Sequence, residues 1–352
     1  MAQLRSLNAI TVPSIKNTAG VIVDPTKVLS GTVISGIAGT VPNNGVLRTI
    51  TAGIYPAGYY SAVYISGWVK LASDTAPRYD LVAAYDSSAN LTYAIDGSSG
   101  SSLVATVTAY SYASNAWTAM ASDTTSRNFL AAAYDSSANL TYAIDGYNSS
   151  GYLNTVTAYS HASNAWTAIA GDNTWRQNLA AAYDSSANLT YAIDGLNGSG
   201  DLATVTAYSH ASNVWTAMAS DSTGRQNLAA AYDSSANLTY GIGGDDGAVA
   251  AYSHASNAWT AIAGDIILRQ NLAAAYDSSA NLTYAIDGSS PGYINIVTAY
   301  SHASNAWTSM VGDTTPRDNL AAAYDSSANL TYAIDGNSGY TSPLNLITAF
   351  LF

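Results

Sequence analysis

The sequence predicts an all-β protein built from repeated four-stranded units, and three observations lead to this prediction. The segment YDSSANLTYAIDG starts at residues 85, 134, 183, 276 and 324, and YDSSANLTYGIGG starts at residue 232. The chain contains 27 Tyr and 7 Trp but no Glu, so strand-favouring aromatic residues are common and strong helix formers are scarce. Short apolar runs separated by Gly, Asn, Asp and Ser follow each copy, which is typical of strands joined by turns.

Each repeat divides into four strands, which we name a, b, c and d in chain order. In one unit, the continuous apolar run NLAAAY (178–183) suits an innermost strand buried between neighbouring units. The turn DSSAN follows, and then strand b, LTYAI, which ends at Asp-Gly. Strand c is VTAY, and after the turn SHASN strand d carries a tryptophan at the wide outer edge of the unit.

The count of strands predicts a ring of six units that is closed by the N-terminal side of the repeat region. Six a strands occur, but the last unit stops after its strand c, at LNLITAFLF. GWVKLASDTAPRYD (67–80) aligns with AWTAMASDTTSRNF (116–129), so residues 67–72 supply the missing strand d. They would join strands near 319–325, 330–335 and 345–351, leaving no unpaired edge between units. The tryptophans expected to have structural roles are Trp68, Trp117, Trp166, Trp215, Trp259 and Trp307.

Residues 60–352 resemble the kelch-type β-propellers. The resemblance depends on an Arg before strand a, a Gly-containing doublet after strand b, and a Tyr seven residues before the Trp, as in Tyr159 and Trp166. A repeat near 50 residues with four short strands is the length of a kelch blade. The sequence departs from the family at the doublet, which is Asp-Gly in five units and Gly-Gly only at 243–244. The resemblance implies a six-bladed propeller.

Six arginines recur four residues after an aspartate, in the loop that precedes each strand a. We favour a structural ion pair that braces the loops. The alternative is a ring of arginines near the channel mouth that grips an anion. The arginines are Arg78, Arg127, Arg176, Arg225, Arg269 and Arg317, and the aspartates are Asp74, Asp123, Asp172, Asp221, Asp265 and Asp313.

Two other recurring residue types receive structural interpretations. One histidine lies in the SHASN turn of each of four units, and these side chains are too far apart to share a metal, so capping of the turn is expected. A ring formed by the aspartates of the Asp-Gly doublets could bind Ca²⁺, but Asp-Gly is also ordinary turn chemistry, and no metal is expected. The histidines are His161, His210, His254 and His302.

Variation between the units falls on one end of the predicted propeller. The a–b turn is DSSAN in all six units, and the c–d turn is SHASN or SYASN, whereas the b–c and d–a loops differ in every unit. A face that recognises a ligand would give this pattern, although long loops also diverge for lack of constraint. The exposed aromatic, acidic and apolar candidates for ligand contacts are Tyr147, Tyr152, Trp175, Asp201, Asp245, Asp246, Ile267, Tyr293 and Tyr340.

Composition and charge argue against several functional classes. Without Cys and Glu, and with no nucleophile and base at a telling spacing, no enzyme activity and no cofactor are expected. Residues 60–352 carry 7 basic and 22 acidic groups, which argues against nucleic-acid binding. No apolar run is long enough to insert into a membrane, and no secretory signal is expected at the N-terminus.

Residues 1–59 lie outside the repeat, and we treat them as a separate, basic, β-rich segment. GTVPNNG (39–45) followed by YPAGY (55–59) resembles a short module of bacteriophage tail and other virion structural proteins. The resemblance implies a virion protein that docks to other virion proteins through residues 1–59, in several copies, and displays residues 60–352. We expect its propeller to bind a host-surface glycan or protein. The alternatives are a decoration protein that packs on capsid or tail neighbours and, least favoured, an enzyme acting on glycans.

Overall fold

The computed structural model describes residues 67–339 and 343–351, together with the backbone at 33–34 and 37–38. In this part of the chain all regular structure is β-strand, as predicted. Six antiparallel four-stranded sheets form the blades of a β-propeller, which fits the kelch type. The a strands of neighbouring blades contact one another around the axis, and this contact closes between the last blade and the first.

Each blade is ordered a-b-c-d, with strand d at its free edge. The a strands are β4 (Val82–Asp86), β8 (Ala131–Asp135), β14 (Ala180–Asp184), β20 (Leu228–Asp233), β24 (Ala273–Asp277) and β28 (Ala321–Asp325). The b strands are β5 (Leu91–Ile95), β9 (Leu140–Ile144), β15 (Leu189–Ile193), β21 (Leu238–Gly243), β25 (Leu282–Ile286) and β29 (Leu330–Ile334). The c strands are β6 (Val107–Ser111), β12 (Val156–Ser160), β18 (Val205–Ser209), β22 (Val249–Ser253), β26 (Val297–Ser301) and β30 (Ile347–Leu351). The d strands are β7 (Ala116–Ala119), β13 (Ala165–Ala168), β19 (Val214–Ala217), β23 (Ala258–Ala261), β27 (Ala306–Ser309) and β3 (Gly67–Lys70).

Three pairs of two-residue strands lie outside the blades. Two of these pairs form short hairpins in b–c loops, and the third lies in the N-terminal segment. The pairs are β1 (Val33–Ile34) with β2 (Ile37–Ala38), β10 (Tyr147–Asn148) with β11 (Gly151–Tyr152), and β16 (Leu196–Asn197) with β17 (Gly200–Asp201). The rest of the proposed anchoring segment, including both stretches that resemble the virion module, lies outside the described residues.

The predicted closure of the ring is confirmed. Strand β3 pairs antiparallel with β30, placing Trp68 opposite Phe350, and their ring centroids lie 5.4 Å apart. The indole Nε1 of Trp68 also donates to the backbone oxygen of Val311 in the preceding blade at 3.0 Å. Blade 6 is thus assembled from both ends of the repeat region, and blades 1–6 are numbered here by their a strands.

The tryptophans join each blade to the one before it. Trp117 Nε1 donates to the backbone oxygen of Ala72 at 2.9 Å, and the tryptophans of the other five d strands make the equivalent bond. Asn115, at the end of a c–d turn, accepts a hydrogen bond from the nitrogen of the same Ala72 at 3.0 Å. Trp68 and Trp215 are buried, and the other four strand-d tryptophans are half-buried. The motif SHASNAW therefore repeats because it ties neighbouring outer strands together.

The repeated YDSSAN segment also makes contacts between blades. Asp86 Oδ1 accepts hydrogen bonds from the nitrogens of Ser88 and Ala89 at 2.8 and 3.2 Å, which closes the turn. The same oxygen accepts from the hydroxyl of Tyr134 in the next blade at 2.8 Å. Ser88 Oγ lies 3.2 Å from Asn139 Oδ1, and four further blade junctions repeat this serine–asparagine contact. Identical turns are required because each turn bonds to the next.

The histidines do not all have the capping role that the sequence predicts. His161 Nδ1 lies 3.1 Å from Asp86 Oδ2 of the preceding blade, and its Nε2 lies 2.9 Å from Thr141 Oγ1. His254 makes the equivalent contacts with Asp184 and Thr239. These two side chains are buried between blades, where a ring with two polar nitrogens can link two neighbours. The capping interpretation is therefore wrong for them.

The departure from the kelch doublet has a conformational explanation. Asp96 and Gly97 have φ of 56° and 104°, so the first position needs a residue that tolerates the left-handed region. Asp and Asn tolerate that region among non-glycine residues, and Asp-Gly can therefore replace Gly-Gly. The second position must remain glycine, because a Cβ atom on Gly97 would lie 2.7 Å from the backbone oxygen of Tyr79.

Candidate functional site

The b–c and d–a loops lie together at one end of the propeller, which we call the loop face. The fixed DSSAN and SHASN turns lie at the opposite end, which we call the turn face. On the loop face, backbone hydrogen bonds join the two kinds of loop: Asn128 N donates to Tyr147 O at 3.1 Å, and Gln177 N donates to Leu196 O at 3.0 Å. The divergent loops are thus held on a bonded framework, which presents their side chains from fixed positions.

Three of the candidate aromatic residues lie on adjoining loops of blades 2 and 3, and two of them are in ring contact. Tyr147 and Tyr152 are directly paired across the β10–β11 hairpin, with ring centroids 5.5 Å apart and planes at 76°. Arg176 N donates to Leu153 O at 3.0 Å, so the loop that carries Trp175 is bonded to the residue that follows this hairpin. Tyr147 is 39% exposed and Trp175 is 59% exposed. We call Tyr147, Tyr152 and Trp175 the aromatic cluster.

The candidate acidic residues lie farther around the loop face, on blades 3 and 4. Asp201 is exposed at the end of β17. Asp245 and Asp246 are exposed in the shortened b–c loop of blade 4, where Asp245 Oδ1 accepts from Asn227 Nδ2 at 3.1 Å and Asp246 Oδ1 accepts from Ala248 N at 2.9 Å. Asp201 belongs to the β16–β17 hairpin of blade 3, whose Gly198 adjoins the Tyr152 ring, whereas Asp245 and Asp246 belong to the next blade.

In the apolar loop between blades 4 and 5, the exposed side chains are the neighbours of Ile267, the residue selected from the sequence. Ile267 is half-buried, whereas Ile266 and Leu268 are 54% and 67% exposed. Leu268 lies directly over Gly247, where an added Cβ atom would be 2.5 Å from Leu268 Cδ2. The shortened loop of blade 4 leaves room for this leucine. Tyr293 is half-buried on blade 5, and Tyr340 lies outside the described residues.

The arginines of the d–a loops are buried and bonded, so they are not available to a ligand. Arg176 Nε donates to Asp145 Oδ2 of the preceding blade at 3.1 Å, and Nη2 donates to Asp172 and, at 2.6 Å, to Thr206 Oγ1. Its Nη1 donates to backbone oxygens at 3.2 and 2.8 Å. The six arginine side chains are 0–2% exposed. A ring of arginines open to an anion, the alternative weighed from the sequence, does not exist among these residues.

At four junctions between blades, one arginine contacts two carboxylates. The doublet aspartates of four blades lie 3.1–3.4 Å from the Nε of the next arginine, which also binds the aspartate of its own loop. Burial, followed by the charge of the loop aspartate, raises the pKa of Asp145 well above its usual range. Burial raises the pKa of Asp194 to about 8, opposed by Arg225. One arginine cannot neutralise two buried carboxylates, so we expect the doublet aspartate to hold a proton at neutral pH.

The raised pKa of Asp194 predicts a stability that falls with pH. The folded protein keeps this proton where an unfolded chain has lost it, so the contribution is fully present below the ordinary pKa of 3.8 and is lost as pH rises through about 8. We expect Asp194→Asn to lose roughly 4 kcal/mol less stability than the parent protein between pH 5 and pH 9. Urea unfolding at pH 5, 7 and 9 measures this difference. The exposed Asp201→Asn serves as the control, and equal losses in all three proteins would contradict the assignment.

A second ring, which the sequence analysis missed, encircles the axis at the loop face. The residue two positions after each arginine has a φ of 51–58° and donates its backbone N–H to the equivalent residue of the preceding blade at 2.8–3.3 Å. The six bonds form a closed circle. The members are Asp80, Phe129, Asn178, Asn227, Asn271 and Asn319. We call these six residues the axial ring. Its signal in the sequence was the Asn that recurs at four of the six positions, because Asn tolerates the left-handed region.

The described residues contain no group of three or more His, Cys, Asp or Glu side chains arranged to hold a metal ion. The same residues form no helix that is long and apolar enough to cross a bilayer. In comparisons with known proteins, no protein family matches the chain, and none of the curated proteins matches it significantly.

Proposed function

We propose that this protein is a non-enzymatic bacteriophage virion protein whose propeller recognises the host surface through the loop face. The observation that carries the proposal is the difference between the two ends of one propeller. Residues of the turn face repeat because they bond from blade to blade, whereas the loops of the other face differ in every blade and leave large side chains exposed. Recognition would act on the second end and leave the first unchanged.

The aromatic cluster indicates the class of ligand. Tyr and Trp side chains provide rigid apolar faces with a polar edge, which suits stacking on a sugar ring or packing on a protein. The exposed carboxylates at Asp201, Asp245 and Asp246 offer hydrogen-bond acceptors elsewhere on the same face. A bacterial surface glycan is the ligand that we favour, and a surface protein is the other candidate. Attachment to the particle is assigned to residues 1–59 on their resemblance to virion modules.

The experiment is a binding screen with the fluorescently labelled full chain. Its targets are a panel of bacterial strains and the lipopolysaccharides and capsular polysaccharides purified from them. We expect saturable binding to a subset of strains, and competition by the polysaccharide of a bound strain. Binding that survives removal of surface polysaccharide but is lost after protease treatment of the cells would assign the ligand to protein instead. Absence of binding to every strain would overturn host recognition.

A second candidate function is packing of the propeller on other virion proteins. The exposed pair Ile266 and Leu268 favours it, because neighbouring apolar side chains on a protein surface often mark a protein contact. Imaging of the intact particle separates the two functions, since host recognition requires the loop face to point outward and packing requires it to be covered. An enzyme acting on glycans is the least favoured candidate and would need turnover of a host polysaccharide.

A further inference from the structure

We propose that a Ca²⁺ ion binds beside the axial ring at the junction of blades 6 and 1, held by oxygens of Asp80, Asp318 and Asn128. This junction differs in charge from the other five. The residue pairs that follow the six arginines are Tyr79–Asp80, Asn128–Phe129, Gln177–Asn178, Gln226–Asn227, Gln270–Asn271 and Asp318–Asn319. Carboxylates occur only in the first and last pairs, which meet where the ring closes.

Backbone geometry brings these residues together. Asp80 N donates to Asn319 O at 3.0 Å, so the residues at the two ends of the repeat region are neighbours. Asn128 Nδ2 donates to Asp80 Oδ2 at 3.2 Å, which places the Asn128 amide against the Asp80 carboxylate. Asp318 Oδ1 accepts from Asn319 Nδ2 at 3.3 Å. The Asn128 amide thus lies against the Asp80 carboxylate, and Asp318 is adjacent in the chain to the residue that bonds the Asp80 backbone.

Two oxygens of this group are buried without a hydrogen-bond partner. Asp80 and Asn128 are 7% and 9% exposed, yet Asp80 Oδ1 and Asn128 Oδ1 accept no hydrogen bond from any residue that the structure describes. A buried polar oxygen without a partner is costly, and a buried carboxylate more so. Among the described residues, neither Asp80 nor Asp318 forms a salt bridge with a basic side chain. The site therefore lacks positive charge, which a cation would supply.

The available oxygens favour Ca²⁺ over Mg²⁺. Calcium accepts carboxylate, amide and backbone oxygens together with water in flexible geometry, whereas magnesium requires a near-ideal octahedron. With two carboxylates and no third acidic ligand among the described residues, the expected dissociation constant is weak, on the order of 10⁻⁴ M. The ion would join the first and last blades, where no peptide connects strand β3 to strand β30.

The test compares the full chain with the double variant Asp80→Asn/Asp318→Gln. These substitutions introduce the residues that the chain itself uses at most other junctions, so folding is expected to be retained. After removal of metals with EDTA at pH 8, addition of 1 mM CaCl₂ should raise the melting temperature of the parent protein by about 3 °C, and MgCl₂ should raise it less. The double variant should show no response and no heat of Ca²⁺ binding in calorimetry.

Two outcomes would overturn the site. If Ca²⁺ neither binds nor stabilises the parent protein, while the double variant is more stable at pH 8, the carboxylates are neutralised by a proton alone. If the double variant responds to Ca²⁺ as the parent protein does, the ion binds elsewhere. Asp245→Asn/Asp246→Asn, which removes two exposed carboxylates of the same face, is the control and should keep the response. None of these results depends on the proposed function.

Discussion

Deletion of residues 1–70, which removes strand β3, is expected to abolish cooperative unfolding of the propeller. The deletion leaves β30 as an unpaired edge and removes the indole of Trp68 from the Val311 oxygen. It also takes Trp68 out of a buried cluster that contains Phe350 and Tyr284. Blade 6 would then lose the strand that ties it to the start of blade 1, and its loss exposes apolar surface and the edge of β30 that β3 covers.

The matched control is deletion of residues 1–66, which keeps β3. We expect this protein to unfold in a single sharp transition, followed by circular dichroism during heating and urea titration, whereas the longer deletion should give a broad transition or aggregate. If both deletions gave the same melting curve, β3 would not stabilise the closed ring. The two proteins differ by only four residues, so the comparison isolates the closing strand.

Replacement of Arg176 by Ala should destabilise the propeller by about 3–5 kcal/mol. The change removes five hydrogen bonds and leaves Asp145 and Asp172 buried without their cation. Arg176→Lys should recover only part of the loss, because an ammonium group cannot bond two carboxylates and two backbone oxygens as the planar guanidinium does. Urea unfolding at pH 7 measures the three free energies of unfolding.

Removal of one carboxylate from the same junction should have a much smaller effect than removal of the arginine. Blade 4 provides a natural precedent, since Gly243 stands where the other blades have an aspartate, and Arg269 there bonds Asp265 through both Nε and Nη2. We therefore expect Asp145→Asn to cost less than about 1 kcal/mol at pH 7, or to stabilise. A loss as large as that of Arg176→Ala would contradict the view that the second carboxylate is in excess.

The architecture was predictable from the sequence because repetition supplies its own alignment. Six copies of one segment fixed the number of blades, and Trp68, which lies 49 residues before Trp117, identified the closing strand. The position of the loop face followed from antiparallel connectivity alone. The ion pair between each loop aspartate and its arginine was also visible, because the two residues are four apart in every unit.

Contacts between blades could not be read in the same way. The bond from Arg176 to Asp145 joins residues whose separation reflects the packing angle of two sheets, which no local pattern encodes. The histidines differ in environment although the surrounding sequences are the same. The Asp86 carboxylate contacts His161 of the next blade, whereas the Asp135 carboxylate accepts a hydrogen bond from Tyr142 of its own blade. In the apolar loop the sequence located the hydrophobic run, but only the backbone decides that Leu268 rather than Ile267 faces outward.

The division of the propeller into a bonded turn face and a recognising loop face is tested most directly by one affinity comparison. The dissociation constant for a bound strain or its polysaccharide is measured for the full chain, for Tyr147→Ala/Trp175→Ala, and for Val214→Ala. Val214 is 50% exposed on the outer strand β19, and most other blades have Ala there, so it controls for loss of an exposed apolar side chain. We predict at least about tenfold weaker binding for the first variant and unchanged binding for the second. Unchanged binding of the aromatic-cluster variant, together with protection of the turn face from hydrogen exchange by the ligand, would contradict the account.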